Sequence, residues 1–169
     1  MNELIEAVAW YVAFLFSVTV HEAAHAWVAK RGGDLTAYYG GQVSIDPIPH
    51  IRREPFGMVL LPVLSLFFFG WPFGFASAPY DPDWAERHPR RAAWMALAGP
   101  ASNLLLALAA AALICAGRLA GRFEAPEALS LATVAVSPQA GLWTGLAMIV
   151  SMLFSLNLIL VILNLIPLP

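Results

Sequence analysis

Charge almost vanishes over four stretches of this 169-residue chain: 7–29, 55–80, 92–117 and 128–169. Within the first, the ionisable exceptions are His21, Glu22 and His25. A helix that crosses a bilayer needs about 20 mainly apolar residues. In hydrocarbon its backbone N–H and C=O groups must pair internally. The first, third and fourth stretches therefore predict long helices, over about 4–30, 91–117 and 142–168. The fold class expected is an all-α membrane protein, a multi-pass helical bundle with 1–169 as one core. Composition agrees, with 60% hydrophobic and 12% charged residues, against about 25% charged in soluble domains. That balance excludes a disordered chain and an ordinary soluble enzyme. Nine Lys and Arg against eleven Asp and Glu leave no basic footprint, so no nucleic-acid partner is expected. A single cysteine, Cys115, excludes a disulfide framework and a cysteine-based zinc site.

The second stretch is different. Its dense apolar part runs only over 58–69 and holds Pro62, and Gly70-Trp71-Pro72-Phe73-Gly74 then breaks any helix. Apolar segments of about 10–14 residues are more often re-entrant or buried than spanning. Cytoplasmic loops carry the excess of Lys and Arg. If 56–75 spans, Lys30, Arg31, Arg52, Arg53, Arg118 and Arg122 lie opposite Arg87, Arg90 and Arg91, a split of six to three. If it enters and returns, seven basic residues from Lys30 to Arg91 face Arg118 and Arg122. The more biased split favours a re-entrant segment between the first and second core helices. Either way the N-terminus is expected outside, with the C-terminal end of the first helix at the cytoplasm. The Phe67-Phe68-Phe69 and Trp71-Pro72-Phe73 run reads as an interfacial aromatic anchor. The opening Met-Asn-Glu-Leu-Ile-Glu lacks the basic start of a signal peptide, so no cleaved leader is expected.

The chemistry lies in His21-Glu22-Ala23-Ala24-His25. Residues i and i+4 share one helix face, so both imidazoles can reach one ion. In H-E-x-x-H the two His bind zinc and the Glu serves as general base. An acid at a helix centre costs about 2.5–3.5 kcal/mol on insertion scales, and such groups mark functional sites by default. The bland alternative is solvation at the interface, since Lys30 is near.

With this motif in a membrane helix, the chain resembles the site-2 protease family of intramembrane zinc metalloproteases, most of all its small bacterial members. Ser17-Val18-Thr19-Val20-His21-Glu22-Ala23-Ala24-His25-Ala26 is similar to the family's zinc helix. Gly40-Gly41-Gln42-Val43-Ser44-Ile45-Asp46-Pro47-Ile48-Pro49-His50-Ile51 is similar to the segment that follows it. Ala98-Gly99-Pro100-Ala101-Ser102-Asn103 matches its G-P-x-x-N. Asn164-Leu165-Ile166-Pro167-Leu168-Pro169 resembles the opening of its last motif, N-L-I-P-x-P followed by L-D-G. Asp46 and Arg52 depart from the usual Asn and Asp.

The resemblance implies a zinc-dependent endopeptidase that cuts transmembrane helices of other proteins. Its metal ligands would be His21 and His25, its cofactor Zn²⁺ and its catalytic base Glu22. Asn103 would contact substrate or steady the oxyanion, or else make a helix–helix hydrogen bond. His50 is a candidate accessory residue in a loop. Asn157 and Asn164 are read as packing groups. The family's third ligand is the Asp of L-D-G, so the 169 residues are expected to be C-terminally incomplete. The partners expected are transmembrane substrates and the lipid bilayer. The place expected is the cell membrane, with the site toward the cytoplasm. Two other classes stay open: a non-catalytic metal-binding membrane protein, and a metal transporter.

Overall fold

The computed structural model describes residues 3–166. Among them it is helical, with no strand and a single isolated bridge, Glu124 to Val136. Three helices are long and apolar enough to cross a membrane: α1 (Glu3–Gly32), α6 (Pro89–Leu119) and α7 (Leu142–Leu165). Between α1 and α6 lie α2 (Thr36–Tyr39), α3 (Pro47–Arg53), α4 (Leu61–Phe69) and α5 (Pro82–Arg87). Pro167, Leu168 and Pro169, at the end of the expected last helix and motif, lie outside the described residues. The chain groups into two compact units, Met1–Ser102 and Asn103–Pro169, and the division falls within α6.

In the first unit, α1 starts with Glu3 and Glu6 and ends with Lys30 and Arg31. That order complements the helix dipole at both ends. Its buried residues include Trp10, Phe14, Ser17, Val18, His21, Glu22, Ala26 and Ala29, a stripe at helical spacing. Asp46 caps α3 by accepting from the Ile48 N–H at 2.9 Å, with Pro47 in the first turn. After α3 a π-helical turn, Phe56–Leu60, leads into α4. Gly70 then ends α4 in the left-handed region at φ 67°, a conformation glycine adopts at no steric cost.

From there the chain doubles back. The Phe73 N–H donates to Ser65 Oγ at 2.8 Å, and the Phe75 N–H to the Gly57 carbonyl at 3.1 Å. Two glycines permit this approach. A Cβ on Gly57 would strike the Phe75 carbonyl, and one on Gly74 would strike Phe14 and the Gly57 carbonyl. Trp71 stacks edge-on against Trp10 with ring centroids 4.4 Å apart. Farther on, the Ser77 carbonyl accepts from Gln42 Nε2 and Arg53 Nε, and Ser77 Oγ donates to Glu54 at 2.7 Å. The Asp81 N–H donates to Asp34 Oδ2 at 2.9 Å. The returning segment of this excursion thus ends beside the C-terminal end of α1.

In the second unit, Asn103, Ala107, Ala110 and Ile114 form the buried stripe of α6. Ala110 and Ile114 pack with Ala147 and Val150 of α7 and with Phe123 and Ala135 of the connection between the helices. Ser151 Oγ accepts from the Ala135 N–H at 3.0 Å, which ties that connection to α7.

Candidate metal centre

His21 and His25 lie one turn apart on the buried face of α1, and their Nε2 atoms are 3.0 Å apart. The His25 Nδ1 lies 2.7 Å from the Met95 carbonyl of α6. A carbonyl only accepts, so Nδ1 carries the proton and Nε2 of the neutral ring presents its lone pair. A backbone partner on the second nitrogen is the usual way of fixing a metal-binding imidazole. Glu22 is 5% exposed and His21 8%. The Ala78 N–H, on the returning segment, donates to the Glu22 carboxylate.

Gly99 completes the cradle. A Cβ there would collide with Nε2 of both His21 and His25. Only a residue without a side chain leaves the space in front of the two nitrogens open. This fits a zinc ion, whose bonds to imidazole nitrogen are about 2.0–2.1 Å, and two neutral nitrogens 3.0 Å apart can share one. Catalytic zinc takes three protein ligands and an open position. Among the described residues no group of three or more His, Cys, Asp and Glu is arranged to hold an ion.

The remaining candidates make contacts of their own. Asn103 is fully buried and donates from Nδ2 to Asn157 Oδ1 at 2.7 Å, while Asn157 Nδ2 donates to the Leu153 carbonyl. The bond between the two asparagines joins α6 to α7. Asn164 Nδ2 donates to the Leu160 carbonyl one turn back. His50 lies within α3 rather than in a loop, and is 1% exposed. Its Nε2 lies 3.0 Å from the Ser44 carbonyl, and its Nδ1 has no hydrogen-bond partner.

Three groups escaped the sequence reading: Gly99, the Met95 carbonyl and the Ala78 N–H. Gly99 carried a signal, as a glycine next to Pro100 inside a predicted helix. The other two are backbone groups, and no side-chain pattern marks them.

Residues 9–169 match peptidase family M50. A Bacillus subtilis (strain 168) protein, YwhC, named as a candidate zinc metalloprotease, is 33% identical over 158 residues. The match covers 94% of this chain and 62% of that protein. A second protein of like name, Rip2 of Mycolicibacterium smegmatis (strain ATCC 700084 / mc(2)155), is 32% identical over 95 residues. It covers 56% of this chain and 35% of its own. The chain therefore spans less than two thirds of either relative's length. No solved structure matches. With the family matched over nearly the whole length, the chain belongs to peptidase family M50, the site-2 proteases.

Proposed function

We propose that this chain is the core of a zinc-dependent intramembrane endopeptidase that hydrolyses peptide bonds within transmembrane helices. The observation that carries the reading is the pair of converging imidazoles, His21 buried and His25 half-buried, faced by a glycine that leaves room for an ion, with the buried Glu22 next to His21 in the chain. Zinc, when bound by His21 and His25, polarises a scissile carbonyl and lowers the pKa of a water to about 7. Glu22 would serve as the general base toward an attacking water and return the proton to the leaving amine. His25 is held for its part by Met95, and Ala78 orients the Glu22 carboxylate. Burial of His21 and Glu22 strengthens the electrostatic interactions they make. A substrate helix hides its carbonyls in i→i−4 bonds, so it must unwind locally before attack. Substrates with helix-weakening residues near the cut are expected.

The same reading takes 56–75 as a re-entrant segment opening to the cytoplasm. Its two flanks meet through Ser77 and Glu54 at the level where Asp81 joins Asp34. Both flanks then share a side with the seven basic residues from Lys30 to Arg91.

The test is metal dependence. The full-length protein, stripped of metal by a chelator, should stop cutting a transmembrane test substrate and regain activity with one equivalent of Zn²⁺. His21→Ala and His25→Ala variants should not regain it. Cleavage that survives complete metal removal would overturn the reading.

A further inference from the structure

A cleft of about 350 Å³ lies between the C-terminal end of α1 and the start of α6, lined by Val28, Arg31, Gly32, Gly33, Arg91 and Trp94. We propose that it binds the phosphate of an anionic phospholipid headgroup. The inference rests on reading α1 and α6 as membrane spans.

Two exposed arginines line this cleft, and neither is neutralised. Among the described residues the one ion pair is Arg87 with Asp81. Each guanidinium is nonetheless held. That of Arg31 lies over the Trp27 ring, 4.8 Å from its centroid, and Arg91 Nη1 donates to the Gly32 carbonyl at 3.0 Å. A guanidinium has five N–H donors, so each retains several after these contacts. Arginine's planar fork matches phosphate with paired hydrogen bonds.

The floor is built to stay bare. Trp84 Nε1 also donates to the Gly32 carbonyl, at 3.1 Å, and a Cβ on Gly32 would press into the Trp84 ring. Gly33 takes φ 98°, where side chains are strained. The two glycines therefore leave space for a headgroup phosphate in the cleft that both arginines line.

The surroundings select a lipid over a free ion. Trp27 and Trp94 are 50% and 69% exposed at this end of the spans. Indole rings concentrate at headgroup depth. Lys30 and Arg90 precede Arg31 and Arg91 in the chain and add to the positive charge of this end, and basic pockets between membrane helices are a known form of lipid headgroup site. The volume accommodates a headgroup, and the acyl chains would lie along the exposed apolar faces of α1 and α6.

The experiment measures lipid binding to the full-length protein in detergent micelles by native mass spectrometry. Phosphatidylglycerol is titrated against phosphatidylcholine, with inorganic phosphate and an acidic peptide as competitors. We expect phosphatidylglycerol to bind at least tenfold more tightly than phosphatidylcholine. The double variant Arg31→Gln, Arg91→Gln should lose that preference while keeping its helical circular dichroism. Arg87→Gln, which removes a charge already paired with Asp81, should keep it. Equal binding of the two lipids, or a preference unchanged in the double variant, would overturn the proposal. So would displacement of the lipid by millimolar phosphate, or tighter binding of the peptide. A protein that stays dispersed without detergent would instead overturn the reading of the spans. Metal dependence of cleavage tests the protease independently of the lipid site.

Discussion

Among single residues, Gly99 makes the sharpest demand. Alanine there would place a methyl group on the Nε2 atoms of His21 and His25. Gly99→Ala should therefore lower zinc affinity and cleavage by at least tenfold while α6 remains helical. Zinc content by atomic emission and a cleavage assay check this together, and unchanged zinc would show that the space is not needed. Asp34 makes a different demand, outside the spans. Burial pushes its carboxyl up, but hydrogen bonds from the Thr36 side chain, the Thr36 N–H and the Asp81 N–H outweigh it. Together they hold it below the ordinary 3.8. A carboxylate with a depressed pKa adds stability above its unfolded value, and that stability fades as pH falls through the folded value. Asp34→Ala should cost about 1.5–3 kcal/mol at pH 7. The gap from wild type should shrink below about pH 4, where the unfolded Asp takes up its proton. Unfolding curves in detergent at pH 7 and pH 3 test this, and a gap of equal size at both would contradict it.

At the level of elements, the long helices were legible and the segment between them was not. Three charge-poor runs of sufficient length leave a backbone in hydrocarbon little choice, and α1, α6 and α7 are helical over most of those runs. The adjacency of His21 and His25 was equally legible, because spacing alone puts i and i+4 on one face. The path of 71–81 was not. It depends on Gly57 and Gly74 giving two backbones room to meet, and on Ser65 and Ser77 bonding across the fold. None of these leaves a periodic signal. Nor did the sequence reveal the bond of Asn103 to Asn157, which joins residues 54 apart. Interhelical bonds of this kind average about 0.6 kcal/mol and reach about 1.7. Asn157→Ala should lower unfolding stability within that range, and a loss several-fold larger would mean that Asn157 does more than join two helices.

For the whole molecule, the account turns on which side of the membrane each connection faces. In a Cys115→Ala background, Arg52→Cys and Arg87→Cys flank the 56–75 excursion. A membrane-impermeant thiol reagent should label both from the cytoplasmic side. Labelling from opposite sides would make 56–75 a span and reverse the orientation of everything after it.

The central claim is that Glu22 acts as a base beside a zinc held by His21 and His25. The most direct measurement compares Glu22→Gln with the wild type for both bound zinc and cleavage of a transmembrane substrate. The amide preserves the shape but cannot take a proton. The account predicts zinc retained at the wild-type level and cleavage reduced by about 10²-fold or more. Cleavage at the wild-type rate with zinc in place would contradict it.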